Sequence, residues 1–205
     1  MSHKRELLEA IAGKNRGIEA TEKDKVRILT AVEQLEDHNP TIAPLSHPEL
    51  LKGMWRLLYT TNKGILRLNE LPLARLGGVF QYIDTENKML YNLAEIVGPP
   101  FLDGFVAAGA RAEAVSEKRF NVYFQRGIVG WKSVVGYSSP QGLIERIQKG
   151  CLFPVALDLN WGEGWWPFWQ ENKSGGWLEV TYLDENLRIS RGNQGNVFIL
   201  EKVGS

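Results

Sequence analysis

Alternation of apolar residues with other residues, repeated along short segments, is the feature that most constrains the fold of this chain. The alternation is clearest around Leu57, Val122 and Val180. A period of two places successive side chains on opposite faces of a strand. Residues 84–87 and 184–186 are rich in Asp, Glu and Asn, and turns of this kind between consecutive strands predict antiparallel hairpins.

The number of these segments indicates the fold class. About eight strands without regularly alternating helices predict a mainly β (α+β) fold, either a closed antiparallel barrel or a sandwich. A barrel removes exposed strand edges, and an eight-stranded barrel can hold one small ligand. One short helix is expected to interrupt the strands, beginning at Ser139 and Pro140 and ending at Gly150.

Residues 1–40 follow a helical pattern instead. Two helices are predicted, the first ending at Gly13 and the second beginning after Thr21, whose hydroxyl can cap it. Their apolar positions are Leu7, Leu8 and Ile11, then Val26, Leu29, Val32 and Leu35. We expect a helical hairpin (residues 1–40) that either packs on the main domain (residues 41–205) or serves as an arm that docks a partner.

Composition argues against several classes of protein. The chain carries 24 basic and 24 acidic residues, and this zero net charge argues against a general nucleic-acid binder. The single cysteine, Cys151, excludes an internal disulfide and cysteine-based zinc fingers, and it favours a reducing intracellular compartment. No signal peptide, transit peptide or run of about 18 apolar residues is recognisable, so membrane contact is expected to be peripheral.

Side chains suited to catalysis are sparse. The three histidines, His3, His38 and His47, lie outside the predicted strands. No zinc-type histidine spacing and no glycine-rich phosphate loop occurs. Cys151 is followed by apolar residues and is interpreted as a small buried side chain. We therefore expect a protein that acts by binding, with no enzyme activity, no metal and no cofactor.

Aromatic residues are concentrated in one segment that glycine and proline interrupt, so an irregular loop is predicted. This loop either covers the mouth of the barrel, packs between barrel and helices, or anchors the protein at a membrane interface, where indole rings are enriched. Residues 97–102 form a second apolar segment that either flanks the same mouth or is an ordinary loop. The aromatic loop contains Trp161, Trp165, Trp166, Phe168 and Trp169.

The start of the first strand and an arginine late in the chain resemble the closed end of lipocalins. Gly53 allows a close turn, and Trp55 would plug one end of the barrel. Arg191 has the parity of the apolar Leu187, so we expect Arg191 to point with it and to stack on an indole ring, while Arg188 faces the other way.

Two longer motifs resemble the two ends of the plastid-lipid-associated protein family, also called fibrillins or plastoglobulins. Residues 53–61 read GMWRLLYTT, like the opening motif of that family. Residues 177–192 read WLEVTYLDENLRISRG and are followed by VFIL at 197–200, like its closing motif. Barrel closure, turn formation and direct ligand contact are open roles for the motif residues Trp55, Tyr59, Tyr182, Asp184, Arg188 and Arg191.

The resemblance implies a lipocalin-like antiparallel barrel preceded by the helical hairpin, in a protein of plastids or cyanobacteria. Members of that family associate with thylakoids and lipid globules, bind or organise prenyl lipids and carotenoids, and affect photoprotection. Some assist prenyl-lipid biosynthesis. Because this chain shows no transit peptide, a cyanobacterial member or a chain whose leader was removed is expected.

The predicted function is therefore non-enzymatic binding or organisation of hydrophobic small molecules (prenyl lipids, quinones or carotenoids) at the thylakoid or lipid-globule surface, supporting photoprotection. The alternative is a structural coat, or an accessory adaptor for a prenyl-lipid biosynthetic enzyme that contacts its partner through the N-terminal helices. A barrel enzyme, such as an isomerase or a pigment-attachment lyase, would need a polar catalytic pair inside the barrel, and no such pair is evident in the sequence.

Overall fold

The computed structural model describes residues 2–150, the backbone of residues 156–160, and residues 176–204. The helices are α1 (His3–Ile11), α2 (Glu22–Glu36), α3 (Pro48–Leu51), α4 (Lys63–Leu66), α5 (Lys132–Val135) and α6 (Pro140–Gln148). The strands are β1 (Gly53–Thr60), β2 (Arg75–Asp84), β3 (Met89–Val97), β4 (Gly104–Ala114), β5 (Arg119–Trp131), β6 (Ala156–Asn160), β7 (Gly176–Leu183), β8 (Leu187–Gly192) and β9 (Val197–Lys202).

Eight antiparallel strands close in a ring. Pairing runs from β1 through β2, β3 and β4 to β5, continues through β7, β8 and β9, and returns to β1. β5 changes partner along its length, because residues 119–122 pair with β7 whereas residues 126–130 pair with β6. The mainly β, antiparallel architecture with a few helices that the sequence predicts is confirmed.

The ring buries an apolar core inside it. Each large apolar side chain buried there stabilises the fold by about 1.5–3 kcal/mol. Gly53, at the start of β1, has a φ of +120°, which favours glycine and lets the chain turn directly from α3 into the strand. The interior core includes Trp55, Leu57, Val79, Leu90, Val180, Leu183 and Leu200.

Helices α1 and α2 cover the outside of the ring across β1 and β7–β9. Ile28 and Val32 pack against Ile189 and Ile199. The expected position of Val26 on this stripe is wrong, since its side chain is 67% exposed. A helix has 3.6 residues per turn, so position 26 lies on the face opposite Ile28. The outer face of β8 and β9 is therefore apolar and buried, like the inside of the ring.

The α1–α2 connection is held by local interactions that the sequence signals. Thr21 caps α2 as expected: its Oγ1 accepts from the Asp24 amide at 3.2 Å, and Asp24 accepts from the Thr21 amide at 2.9 Å. Gly17 has a φ of +110°, and a Cβ there would stand 2.5 Å from the Thr60 carbonyl oxygen. The connection therefore lies directly against the end of β1.

Helix α6 packs against the outer surface formed by β3, β4 and β5. Ser139 caps it by accepting from the Gly142 amide at 3.1 Å, and Gly150 follows its end with a φ of +70°. This helix is confirmed as the sequence predicts it. The cluster beneath it contains Leu93, Phe105, Ile128, Leu143, Ile144 and Ile147.

Candidate functional site

The interior of the ring contains a cavity of about 670 Å³. This volume lies within the range of about 300–1,000 Å³ that is usual for small-molecule sites. Most of its wall is built from side chains that point inward from the strands of the ring. The apolar part of the wall includes Leu57, Val79, Leu90, Val122, Leu178 and Leu200.

The cavity extends to one end of the ring, which we call the mouth. Antiparallel register places the last residue of β1 and the first residue of β2 at this end, together with the β3–β4 loop and the end of β5. The connections that follow β1 and β8 border the cavity here. Its lining at the mouth includes Asn62, Lys63, Arg67, Gly176, Trp177, Asn193 and Asn196.

The opposite end of the ring is closed around Trp55. The Trp55 indole N–H donates to the Leu51 carbonyl oxygen at 2.8 Å, and this bond holds the indole against α3. The Arg188 guanidinium lies 4.8 Å from the centroid of the indole, and the Lys202 ammonium lies 5.3 Å from it. Cation–π attraction of this kind stabilises by about 0.5–2 kcal/mol. Trp55 and Arg188 therefore meet inside the ring.

A polar relay leads from Arg188 to the cavity. Arg188 Nη2 donates to Gln81 Oε1, and Gln81 Nε2 donates to Asn92 Oδ1 at 2.9 Å. Gln81 and Asn92 both line the cavity. Sequence reasoning missed these two residues, although Gln81 has the parity of Val79 and Ile83, and a polar residue at an inward position was the available signal.

Arg191 does not make the contact expected of it. It points with Leu187 as its parity predicts, but this direction is outward, under α2. Arg191 Nε and Nη2 donate to the two carboxylate oxygens of Glu36 at 2.9 and 2.7 Å. The expected stacking of Arg191 on an indole is wrong, and Arg188 takes that place because the inner face of β8 carries its polar residues.

Tyr59 and Tyr182 lie in the cluster between the ring and the N-terminal helices. The Tyr182 hydroxyl donates to Asp184 Oδ2 at 2.7 Å, and Lys4 Nζ lies 2.6 Å from the same oxygen. Burial, together with this bond to a carboxylate, raises the pKa of Tyr182 above its ordinary value. The structure therefore places both tyrosines outside the described cavity, where they join helices to strands.

The loops around the mouth expose apolar side chains. Leu73 and Phe101 are 78% and 67% exposed, and Trp131 and Val134 are also exposed. The Trp131 indole N–H donates to the Phe101 carbonyl oxygen at 2.9 Å, so two of these loops are joined. The segment at 97–102 thus lies at the mouth. We call these four side chains the apolar rim.

Trp161, Trp165, Trp166, Phe168 and Trp169 lie outside the described residues, as does Cys151. The described residues on either side of the aromatic segment are Asn160, in β6, and Gly176, in β7. Gly176 and Trp177 line the cavity, so the chain that follows the aromatic segment enters the ring at the mouth.

Comparison with known proteins gives the family. The PAP_fibrillin profile matches residues 1–201. This chain belongs to the PAP_fibrillin family. It is 32% identical to a light-induced chloroplastic protein of Solanum tuberosum, over 98% of this chain and 67% of that protein. It is 31% identical to a plastid-lipid-associated chloroplastic protein of Citrus unshiu, over 98% and 68% of the two chains.

A third relative in the PAP_fibrillin family is a chromoplast-specific carotenoid-associated protein of Cucumis sativus, 30% identical over 98% of this chain and 68% of that protein. All three names describe plastid proteins, and the second and third describe proteins associated with lipids and with carotenoids, which points to lipid association rather than to enzymes. All three relatives are plant proteins, so a cyanobacterial origin stays a prediction. No solved structure matches this chain.

Two searches of the described part of this PAP_fibrillin chain bear on its chemistry. Among the side chains described in residues 2–150 and 176–204, no three His, Cys, Asp or Glu form a group that could hold a metal ion. Across the same ranges, every helix is too short or too polar to cross a membrane.

Proposed function

We propose that this protein binds hydrophobic small molecules (prenyl lipids, quinones or carotenoids) inside a lipocalin-like barrel, without enzymatic activity. The observation that carries the proposal is the cavity of about 670 Å³ with an apolar wall, inside a closed ring of strands. The names of the relatives support the ligand class, since they include lipid-associated and carotenoid-associated proteins. The protein would act at the thylakoid or lipid-globule surface and support photoprotection.

Peripheral contact with a lipid surface is the second part of the proposal, and the mouth supports it. The apolar rim (Leu73, Phe101, Trp131 and Val134) would enter the interfacial layer. Lys63, Arg67 and Arg75 surround the same end, and none of them forms an ion pair with another described residue. Cations so placed are attracted to anionic lipid headgroups. Docking by this end would set the mouth of the cavity against the membrane.

Flotation with liposomes tests the rim. The variant carries Leu73→Ser and Phe101→Ser, and its control is Val115→Ser, an exposed apolar residue at the opposite end of the ring. We expect binding to vesicles containing phosphatidylglycerol to fall several-fold in the double variant and to stay unchanged in the control. Equal flotation of all three proteins would contradict docking by the mouth.

The aromatic loop is proposed to share this role. Gly176 and Trp177 line the cavity and follow the aromatic segment after six further residues, which supports a place for that segment near the mouth. Replacing Trp165, Trp166 and Trp169 by Ala is expected to weaken flotation. Unchanged flotation of this triple variant, with a native circular dichroism spectrum, would remove the loop from the proposal.

Ligand binding itself is tested by extraction of the purified protein into organic solvent, followed by mass spectrometry. Val122→Trp fills the cavity, and Tyr123→Trp adds the same indole to the outer face of the same strand. We expect extracted lipid to fall several-fold with Val122→Trp and not with Tyr123→Trp. A wild-type protein that carries no lipid and shows no tryptophan quenching by plastoquinone or β-carotene would refute the proposal.

The adaptor function is a second candidate, favoured by the exposed Val26 on the outer face of α2. Deleting residues 1–40 is a poor test because α1 and α2 cover buried residues of β8 and β9. Val26→Glu changes that surface while leaving the buried face intact. An adaptor would lose its stimulation of a prenyl-lipid biosynthetic enzyme in Val26→Glu and keep it in Val122→Trp. A protein that stimulates the enzyme by carrying its lipid would keep the stimulation in Val26→Glu and lose it in Val122→Trp.

A further inference from the structure

Arg188 is a completely buried cation whose neighbours do not neutralise it. Its relative exposure is 0%. Its described contacts are the Trp55 ring and the Gln81 amide oxygen, and neither carries a negative charge. Burial lowers the pKa of the Arg188 guanidinium to about 9, so the group remains charged at neutral pH. Burying an unpaired charge is costly, and buried charges in proteins are nearly always paired.

Several hydrogen-bond donors in this region have no acceptor. Arg188 Nε and Nη1 are buried without a hydrogen-bond partner, and so is the Ser190 hydroxyl oxygen. Both residues lie on the inner face of β8. Buried donors are satisfied in the great majority of cases, so a set of three unsatisfied groups on one face indicates an acceptor that the described residues do not supply.

These groups adjoin the cavity on two sides. Gln81, which accepts from Arg188, lines the cavity, and so does Leu200, the register partner of Arg188 on β9. Ser190 pairs in register with Phe198, which also lines it. A ligand that fills the cavity would therefore contact Gln81, Leu200 and Phe198, the neighbours of Arg188 and Ser190.

All charged side chains that line the described cavity are basic. Lys63 and Arg67 line the mouth, and no Asp or Glu occurs among the described lining residues. Burial and the positive charge of Arg188 both lower the pKa of Lys202, a second cation that lies beside the Trp55 ring. Such a cavity favours an anionic group at its inner end and an apolar body along its wall.

We infer that the cavity binds an amphiphile with a carboxylate head, a long-chain carboxylic acid by chemical class, whose head is received by Arg188 and the hydroxyl of Ser190. Carboxylates accept the paired N–H donors of a guanidinium in a matching geometry. The apolar chain lies along Leu57, Leu90 and Val122 towards the mouth. This inference rests on the proposed lipid-binding function and names the ligand class for the same cavity.

Binding of two probes that differ only in the head tests the inference. Palmitate and hexadecanol have the same chain length, and isothermal titration calorimetry at pH 8 measures both. We expect the wild-type protein to prefer palmitate by at least about tenfold, because a hydrogen bond to a charged group contributes more than a neutral one. Equal affinity for the two probes would overturn the inference.

Two arginine substitutions on the same strand provide the variant and its control. Arg188→Met removes the inward charge and keeps an apolar side chain of similar length, whereas Arg191→Met removes the outward charge. We expect Arg188→Met to lose the preference for palmitate over hexadecanol, and Arg191→Met to keep it. A preference for palmitate that survives Arg188→Met would show that Arg188 does not receive the head.

The outcomes separate this inference from the function on which it rests. If wild-type protein binds neither palmitate, hexadecanol nor plastoquinone, lipid binding in the cavity fails and the inference fails with it. If hexadecanol binds as tightly as palmitate, or if plastoquinone binds and palmitate does not, lipid binding stands and the carboxylate preference is refuted. The wild-type comparison decides this even where Arg188→Met does not fold.

Discussion

Asp184 offers a prediction whose magnitude follows from its contacts. Its carboxylate accepts from the Tyr182 hydroxyl at 2.7 Å, from the Asn186 amide at 2.8 Å and from the Leu187 amide at 2.7 Å. Lys4 Nζ stands 2.6 Å away, which joins α1 to the β7–β8 turn. One side chain thus fixes a turn, a buried tyrosine and a helix.

Asp184→Ala is expected to cost about 3 kcal/mol of unfolding free energy. Leaving the buried Tyr182 hydroxyl without its acceptor costs about 1–3 kcal/mol, and loss of the two bonds to turn amides, at about 0.5–1.5 kcal/mol each, adds to it. Lys4→Ala removes only a partly exposed ion pair and is expected to cost about 0.5 kcal/mol. The firmest expectation is that Asp184→Ala loses more unfolding free energy than Lys4→Ala.

Urea denaturation at pH 7 and thermal melting measure both effects. For a chain of this size, 3 kcal/mol corresponds to about 6–12 °C in Tm. A cost for Asp184→Ala no greater than that for Lys4→Ala would refute the reasoning, because it would mean that the turn and the tyrosine gain nothing from the carboxylate.

The pH dependence of stability provides an independent arm for Asp184. Burial alone would raise the pKa of Asp184, but the hydrogen bonds from Lys4, Asn186 and Tyr182 outweigh it and hold that pKa below its ordinary value. A lowered carboxyl pKa stabilises the fold above the unfolded value, which is about 3.9, and this stabilisation is lost as the pH falls through the folded value. Asp184→Asn should therefore differ from wild type at pH 7 and approach it in acid.

Three further predictions concern the N-terminal helices and are read out by the same denaturation assay. Glu36→Gln weakens the pair of hydrogen bonds that Glu36 accepts from the half-buried Arg191, and it should lower the free energy of unfolding by about 1 kcal/mol. An unchanged free energy of unfolding would contradict a role of this pair in holding α2. The Cβ added by Gly17→Ala would stand 2.5 Å from the Thr60 carbonyl oxygen, so this variant should lose more than about 1 kcal/mol of unfolding free energy. Unchanged stability would contradict the close contact between the α1–α2 connection and β1. Thr21→Ala should cost about 1 kcal/mol, and Thr21→Ser should restore most of it.

Local features of the fold were predictable because their causes are local. The residues that begin and end α6, and the cap of α2 at Thr21, are short-range patterns and appear where the sequence predicts them. The turn after β2 is another example, since Asp84 accepts from the Asn87 amide at 3.0 Å. Period-two alternation likewise predicted the antiparallel strands.

The inner end of the cavity was predicted only in part. Trp55 was expected to close one end of the ring, and its partner was expected to be an arginine. The choice between Arg188 and Arg191 failed because it assumed that apolar residues of β8 point inward. Gln81 and Asn92 were missed because their hydrogen bond joins β2 to β3. The sequence of one strand alone does not predict its register with the other.

The partner exchange of β5 also depends on long-range pairing. Its first residues complete the ring with β7, and its later residues pair with β6. Both halves of β5 have the composition of a strand, so no local signal separates them. This exchange takes place beside Val122 and Phe124, two residues that line the cavity.

The sequence by itself determined most strands of the ring, the helices α1, α2 and α6 with the capping residues of α2 and α6, and membership of the PAP_fibrillin family. Only the tertiary structure decided which face of β8 looks inward. Alternation of apolar and polar residues reveals which face of a strand is buried only when the other face is exposed to solvent. In β8 the outer face is covered by α1 and α2, which bury Leu187 and Ile189 there. The polar residues Arg188 and Ser190 thereby face the interior of the ring, where Arg188 is fully buried and both side chains carry unsatisfied polar atoms.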